Sequence, residues 1–199
     1  MTDLAIHVRD HITLSAAALA LALAVGLPLG ALLSGRAWVR GPVLAAVYVA
    51  RVIPSLAVLA IMLPLVGIGF LPSLVALTLL AVPPIVLGTE VGLRGVPGPI
   101  REAARGLGMT RSQIATRVEW PLASPVVFSS VRTAAVEVVA SATLAAFIGG
   151  GGLGEYIVNG LAENDRPQLL EGAVSVAFLA LGTQWLLGGI ERRLANRAT

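Results

Sequence analysis

"LPSLVALTLLAVPPIVLGTEVGL", residues 71–93, contains 23 positions and one ionisable side chain, Glu90. Wound as an α-helix at about 1.5 Å per residue, the run is about 34 Å long. A bilayer's hydrocarbon core is about 30 Å thick, so the run is long enough and apolar enough to cross it. Pro83 and Pro84 lie inside it. Such interruptions are tolerated in membrane helices, where neighbouring helices satisfy the freed carbonyls.

Four more segments read the same way, at about 12–33, 42–66, 123–147 and 168–190. Together they predict an all-α membrane domain of five spans over residues 9–193. Composition agrees. The 199 residues are 56% hydrophobic and 13% charged, against about 25% charged in a typical soluble domain. Asp3 and Asp10 spoil the basic start of a signal peptide, and the first apolar run is too long for one, so it is read as a retained helix.

All 14 basic residues are arginine, which excludes a nucleotide-binding P-loop, whose lysine contacts the phosphates. The absence of cysteine excludes disulfides and thiolate chemistry. His7 and His11 lie four apart, but no carboxylate pattern accompanies them, so no metal site is expected. The net charge of +3 does not point to nucleic acid, because the arginines cluster in short loops. Arg36 and Arg40 lie in the first loop, and none in the second. Arg94, Arg101, Arg105, Arg111 and Arg117 lie in the third, 94–121. The fourth carries Glu155, Glu163 and Asp165 against Arg166, and the tail carries Arg192, Arg193 and Arg197. Basic loops alternate with neutral or acidic ones, so the positive-inside rule puts the N-terminus outside and the C-terminus in the cytoplasm. No internal repeat is visible, which argues against inverted-repeat secondary transporters.

The third loop contains "REAARGLGMT", residues 101–110. Pro97 and Pro99 suit a helix start, and Glu102 is expected in the first turn, where a negative charge complements the helix dipole. Ile100, Ala103, Ala104 and Leu107 recur at helical spacing and predict a small apolar face. Arg101 and Arg105 lie together off that face. Gly108 suits the position just past the helix end. Thr110 with Gln113 predicts a capping box opening a second short helix, which Pro121 would end. The pattern fits an interfacial helix on lipid head groups or a docking element for another protein.

The same stretch resembles the EAA motif of ATP-binding-cassette (ABC) importer permeases, through Glu102, Ala103, Ala104, Gly108 and, downstream, Pro121. Val118 and Trp120 stand where that family has isoleucine and leucine. The segments 51–86, 92–110 and 142–161 are similar to one subfamily, the permeases for glycine betaine, carnitine, choline and related osmoprotectants. Glu90 departs from it, standing where an uncharged residue is usual. The resemblance implies a type I ABC permease fold in a bacterial plasma membrane. It implies a coupling helix, carrying Glu102, Ala103, Ala104, Arg105 and Gly108, seated in a groove of a separate ATPase. It also implies a second permease copy or paralogue and an extracytoplasmic binding protein. ATP and magnesium would belong to the partner ATPase, with no cofactor in this chain. A permease for an amino acid such as methionine is the alternative within the class; an uncoupled scaffold or channel subunit is the alternative outside it. No nucleophile–base set supports a membrane enzyme.

Four charges fall at or within spans: Arg51, Glu90, Arg132 and Glu137. Such residues face a bundle interior or an aqueous path, so they are expected either to pair between helices or to line a route. Arg51 and Glu90 are expected near cytoplasmic ends, where they could snorkel. Glu137 is the deepest. The glycine run Gly149, Gly150, Gly151 and Gly152 is expected to be a flexible turn at the outer mouth.

Overall fold

A computed structural model describes residues 2–198, with side chains described for 4–193. The described residues fold into α1 (Thr2–Gly35), α2 (Ala37–Val52), α3 (Ser55–Val66), α4 (Phe70–Arg94), α5 (Gly98–Gly106), α6 (Arg111–Ile114), α7 (Trp120–Ala142), α8 (Gly154–Ala162) and α9 (Arg166–Ala198), with a π-helical turn at Ala115–Glu119 and a 3₁₀ turn at Leu144–Ile148. No strand occurs among the described residues.

The buried centre runs along α1, α4 and α7, and α9 packs outside α7. Side-chain size explains the close approach. Leu14, Ala18, Ala22, Gly26 and Gly30 repeat every four residues along one face of α1. Facing them on α4 are Leu77, Ala81, Ile85 and Thr89. A Cβ at Gly26 would lie 2.7 Å from Ile85 Cγ2, and one at Gly30 would lie 2.7 Å from the Val86 carbonyl oxygen. On the other side of α4, Gly88 sits against Ser130 of α7 and Gly92 against the Ala123 carbonyl. In lipid the hydrophobic effect does not drive helices together, so close backbone packing across small residues carries the association.

The second predicted span is broken. α2 and α3 meet at an angle of 96°. Pro54 is the cause: it has no N–H to continue the ladder, and it forces Ile53 into an extended conformation with ψ 123°. The pair still runs from one end of the bundle to the other. At α2's start, Arg40 Nε lies 3.7 Å from Glu90 near the C-terminal end of α4. Just past α3, the Gly69 N–H donates to the Ile148 carbonyl at 2.7 Å, beside the N-terminal end of α4. The pair therefore reaches from one end of the bundle to the other, and counted as one bent span it brings the candidate crossings from four to five.

Pro121 does not end the helix opened by Thr110. The chain stays helical from Arg111 to Ala142. The π turn absorbs the proline: the Trp120 N–H reaches back five residues to the Ala115 carbonyl, and Pro121 takes a first-turn position in α7.

The exposed helix α5 and the intramembrane charges

α5 is capped as its sequence dictates. Pro97 precedes its first residue and Pro99 lies in its first turn. At its end the Gly108 N–H donates to the Arg105 carbonyl at 2.9 Å, and the Met109 N–H to the Ala104 carbonyl at 3.2 Å. This is the Schellman arrangement, and it needs the left-handed φ of +78° that Gly108 adopts. The capping box follows: the Gln113 N–H donates to Thr110 Oγ1 at 3.3 Å, and the Thr110 N–H to Gln113 Oε1 at 2.8 Å. Glu102 lies in the second turn of α5, because the helix starts at Gly98, so the dipole does not account for it.

Only Ala104 of the expected apolar face turns inward. Glu102, Ala103, Arg105 and Gly108 are exposed, and so are Ile100 and Leu107, the latter at 83%. The helix is held by Arg101 instead. Its Nε donates to Glu119 Oε1 at 2.6 Å and its terminal nitrogen to the Leu93 carbonyl at 2.6 Å. That guanidinium fastens α5 to the π turn and to the end of α4 at once. A cavity of about 480 Å³ opens behind it, lined by Ser34, Arg94, Arg105 and Glu119 among others.

The four intramembrane charges separate into two kinds. Glu90 does not snorkel. It is 3% exposed, accepts from Arg94 at 3.2 Å and lies 3.7 Å from Arg40 Nε. Burial of a carboxylate requires such partners; Arg94 lies one turn further along α4 itself, and Arg40 ties α2 to α4. Arg132 pairs with Glu191 of α9 at 2.8 Å, a carboxylate one residue past the last predicted span. Arg51 and Glu137 make no ion pair among the described residues. Arg51 is not near an end of the bundle: it sits just before the bend of the second span and lines a cavity with Pro84 of α4 and Thr133 of α7, midway along both helices. Arg51 and Glu137 line one cavity of about 370 Å³.

At the opposite end of the bundle the glycine run forms a packed turn. Gly149, Gly151 and Gly152 have φ of 73°, 76° and 81°, a region open mainly to glycine. A Cβ at Gly150 would clash with Ser73 and would lie 2.8 Å from Ala145 Cβ, and one at Gly152 would lie 3.1 Å from His11. His11 Nε2 donates to the Val139 carbonyl at 2.9 Å, and His7 Nε2 lies 2.9 Å from Glu155 Oε2. Both histidines thus join α1 to later parts of the chain.

This arrangement is a bundle of helices long and apolar enough to span a membrane, with an exposed, capped helix at one end. Residues 18–196 match the family described as the binding-protein-dependent transport system inner membrane component, and the chain belongs to that family. The carnitine transport permease protein OpuCB of Listeria monocytogenes is 40% identical, over 98% of this chain and 90% of its own. The choline transport system permease protein OpuBB of Bacillus subtilis is 40% identical, over 93% and 85%. The osmoprotectant import permease protein OsmW of Salmonella typhimurium is 41% identical, over 89% and 85%. Among solved structures, the methionine ABC transporter MetNI in an inward-facing conformation superposes with a TM-score of 0.87 at 26% identity, over 98% of this chain and 97% of that one. The fold is that of type I ABC permeases.

Proposed function

We propose that this chain is the permease subunit of an ATP-driven importer for a small osmoprotectant of the glycine betaine, carnitine or choline type. The observation that carries the coupling is α5 itself. It is anchored by Arg101 and Ala104, yet it holds Glu102, Ala103, Leu107 and Gly108 out from the bundle. A large exposed leucine beside small residues suits a groove on a partner rather than water. That partner is a separate ATPase carrying ATP and magnesium; this subunit is not itself an enzyme. The same end carries the arginine-rich loops, which supports a cytoplasmic α5 and C-terminus, with the N-terminus and the glycine turn outside. There the turn and α8 form the outer mouth, which meets a binding protein. The solute class rests on relatives at about 40% identity, against 26% for the methionine transporter, so a methionine importer is the weaker reading.

The test is uptake of radiolabelled glycine betaine, carnitine and choline in a strain lacking the gene, with and without a salt upshift. The expected result is a deficit in at least one of them that the gene restores. Normal uptake of all three in the deletion strain would overturn the assignment.

A further inference from the structure

Two adjoining cavities lie along α7, one of about 310 Å³ and one of about 370 Å³, and Arg51 and Thr133 line both. Ser129, Thr133 and Glu137 recur every four residues and so form one polar stripe along α7. The charges in this space can be counted. Arg132 lines it but is neutralised by Glu191 at 2.8 Å. One positive group, Arg51, and one negative group, Glu137, remain, both exposed and without an ion-pair partner among the described residues. They share a cavity but do not close on each other. Charges at this depth in a span do not face lipid; they face a protein interior or a water-filled path.

We propose that this space is a zwitterion-binding subsite on the translocation route, with Glu137 facing the cationic end of the solute and Arg51 its carboxylate, and with a second permease subunit closing its open side. The inference rests on the function proposed above and names which solutes the site favours. The cavity is within the size range of small-molecule sites. Its lining holds no aromatic ring among the described residues, so an aromatic cage for a quaternary ammonium is absent there. Recognition is by charge at both ends, which suits passage rather than storage. A carboxylate-bearing solute such as carnitine uses both groups. Choline, a cation without a carboxylate, uses Glu137 alone.

The experiment uses the complete transporter in cells and measures maximal uptake rates at saturating solute, because apparent affinity reports the binding protein. Arg51→Gln should lower the carnitine-to-choline ratio of maximal rates at least tenfold. Glu137→Gln should lower both rates at least tenfold and keep their ratio within twofold. Arg51→Lys and Glu137→Asp should recover a substantial part of each loss, and copurified ATPase should match wild type throughout, which separates the subsite from a folding defect. Unchanged rates in both glutamine variants, an unchanged ratio in Arg51→Gln, or no recovery by the conservative pair would overturn the subsite. Failure of the unmodified transporter to take up any of the three solutes is a different result, and overturns the solute class.

Discussion

Two residues decide how α5 is presented, and each makes a distinct prediction. Gly108 holds φ at +78°, where a residue with a Cβ costs about 1–2 kcal/mol. Nothing lies within 4 Å of where that Cβ would point, so Gly108→Ala strains the turn without a clash. The expected outcome is normal permease in the membrane with uptake and ATPase copurification both reduced several-fold. Arg101 is different, because one guanidinium makes two bonds in two directions. Lysine cannot reproduce that fork. Arg101→Lys should therefore lose most of the uptake that Arg101→Ala loses, while ATP hydrolysis by the assembled complex continues; recovery by lysine would show that charge alone suffices. Gly108 and the capping box were legible in the sequence, because each is a local rule; Arg132 was left open between pairing and lining a route, and its partner Glu191 was not named. The brace from Arg101 to Glu119 was not legible. Nothing in residues 101 and 119 announces that a π turn brings them together.

Among the elements, α1 and α4 show what spacing can and cannot reveal. The repeat of Ala18, Ala22, Gly26 and Gly30 is plain in the sequence, and it marks a face meant for close packing. Which helix fills that face is not plain, since the chain offers several apolar helices. Gly30→Val would drive a side chain into Thr89 and the Val86 carbonyl. Overpacking of this kind costs about 1–3 kcal/mol. Detergent-solubilised Gly30→Val should melt several degrees below wild type, whereas Gly182→Val on the outer helix α9, with open space beside it, should not. The bend between α2 and α3 follows from Pro54, but hydropathy averages over it, so a continuous span was expected. Pro121 misled in the opposite direction: proline usually stops a helix, and a π turn let this one continue.

For the molecule as a whole, counting the bent α2–α3 pair as one span gives five crossings, an odd number that puts the two termini in different compartments. A fluorescent protein fused after Ala198 should fold and fluoresce in the cytoplasm. Alkaline phosphatase inserted after Asn164, which sits in the α8–α9 turn with φ 56°, should be active outside. Inactive phosphatase there, with a dark C-terminal fusion, would invert the orientation. The fold class was readable from apolar length, which is a bulk property of the chain; the direction of the helices, read from arginine placement, is what the two fusions test. The cavity shared by Arg51 and Glu137 was not readable, because it joins residues from three helices whose angles no local pattern sets. Exposed charge along that face fits the second permease proposed to close it. Solubilised complexes should contain permeases in pairs, measurable by native mass, and a monomeric permease bound to ATPase would contradict this.

The two histidine contacts of α1 bear on how the protein is made. His11 is 1% exposed, and its partner carbonyl lies 128 residues further along the chain; the carboxylate near His7 lies 148 residues further. At about 5–20 residues per second, the ribosome takes on the order of ten seconds to supply either partner. For that interval the first helix sits in the membrane with its imidazoles waiting. The first helix made is therefore among the last to be fixed, locked in place only when α7 and α8 arrive.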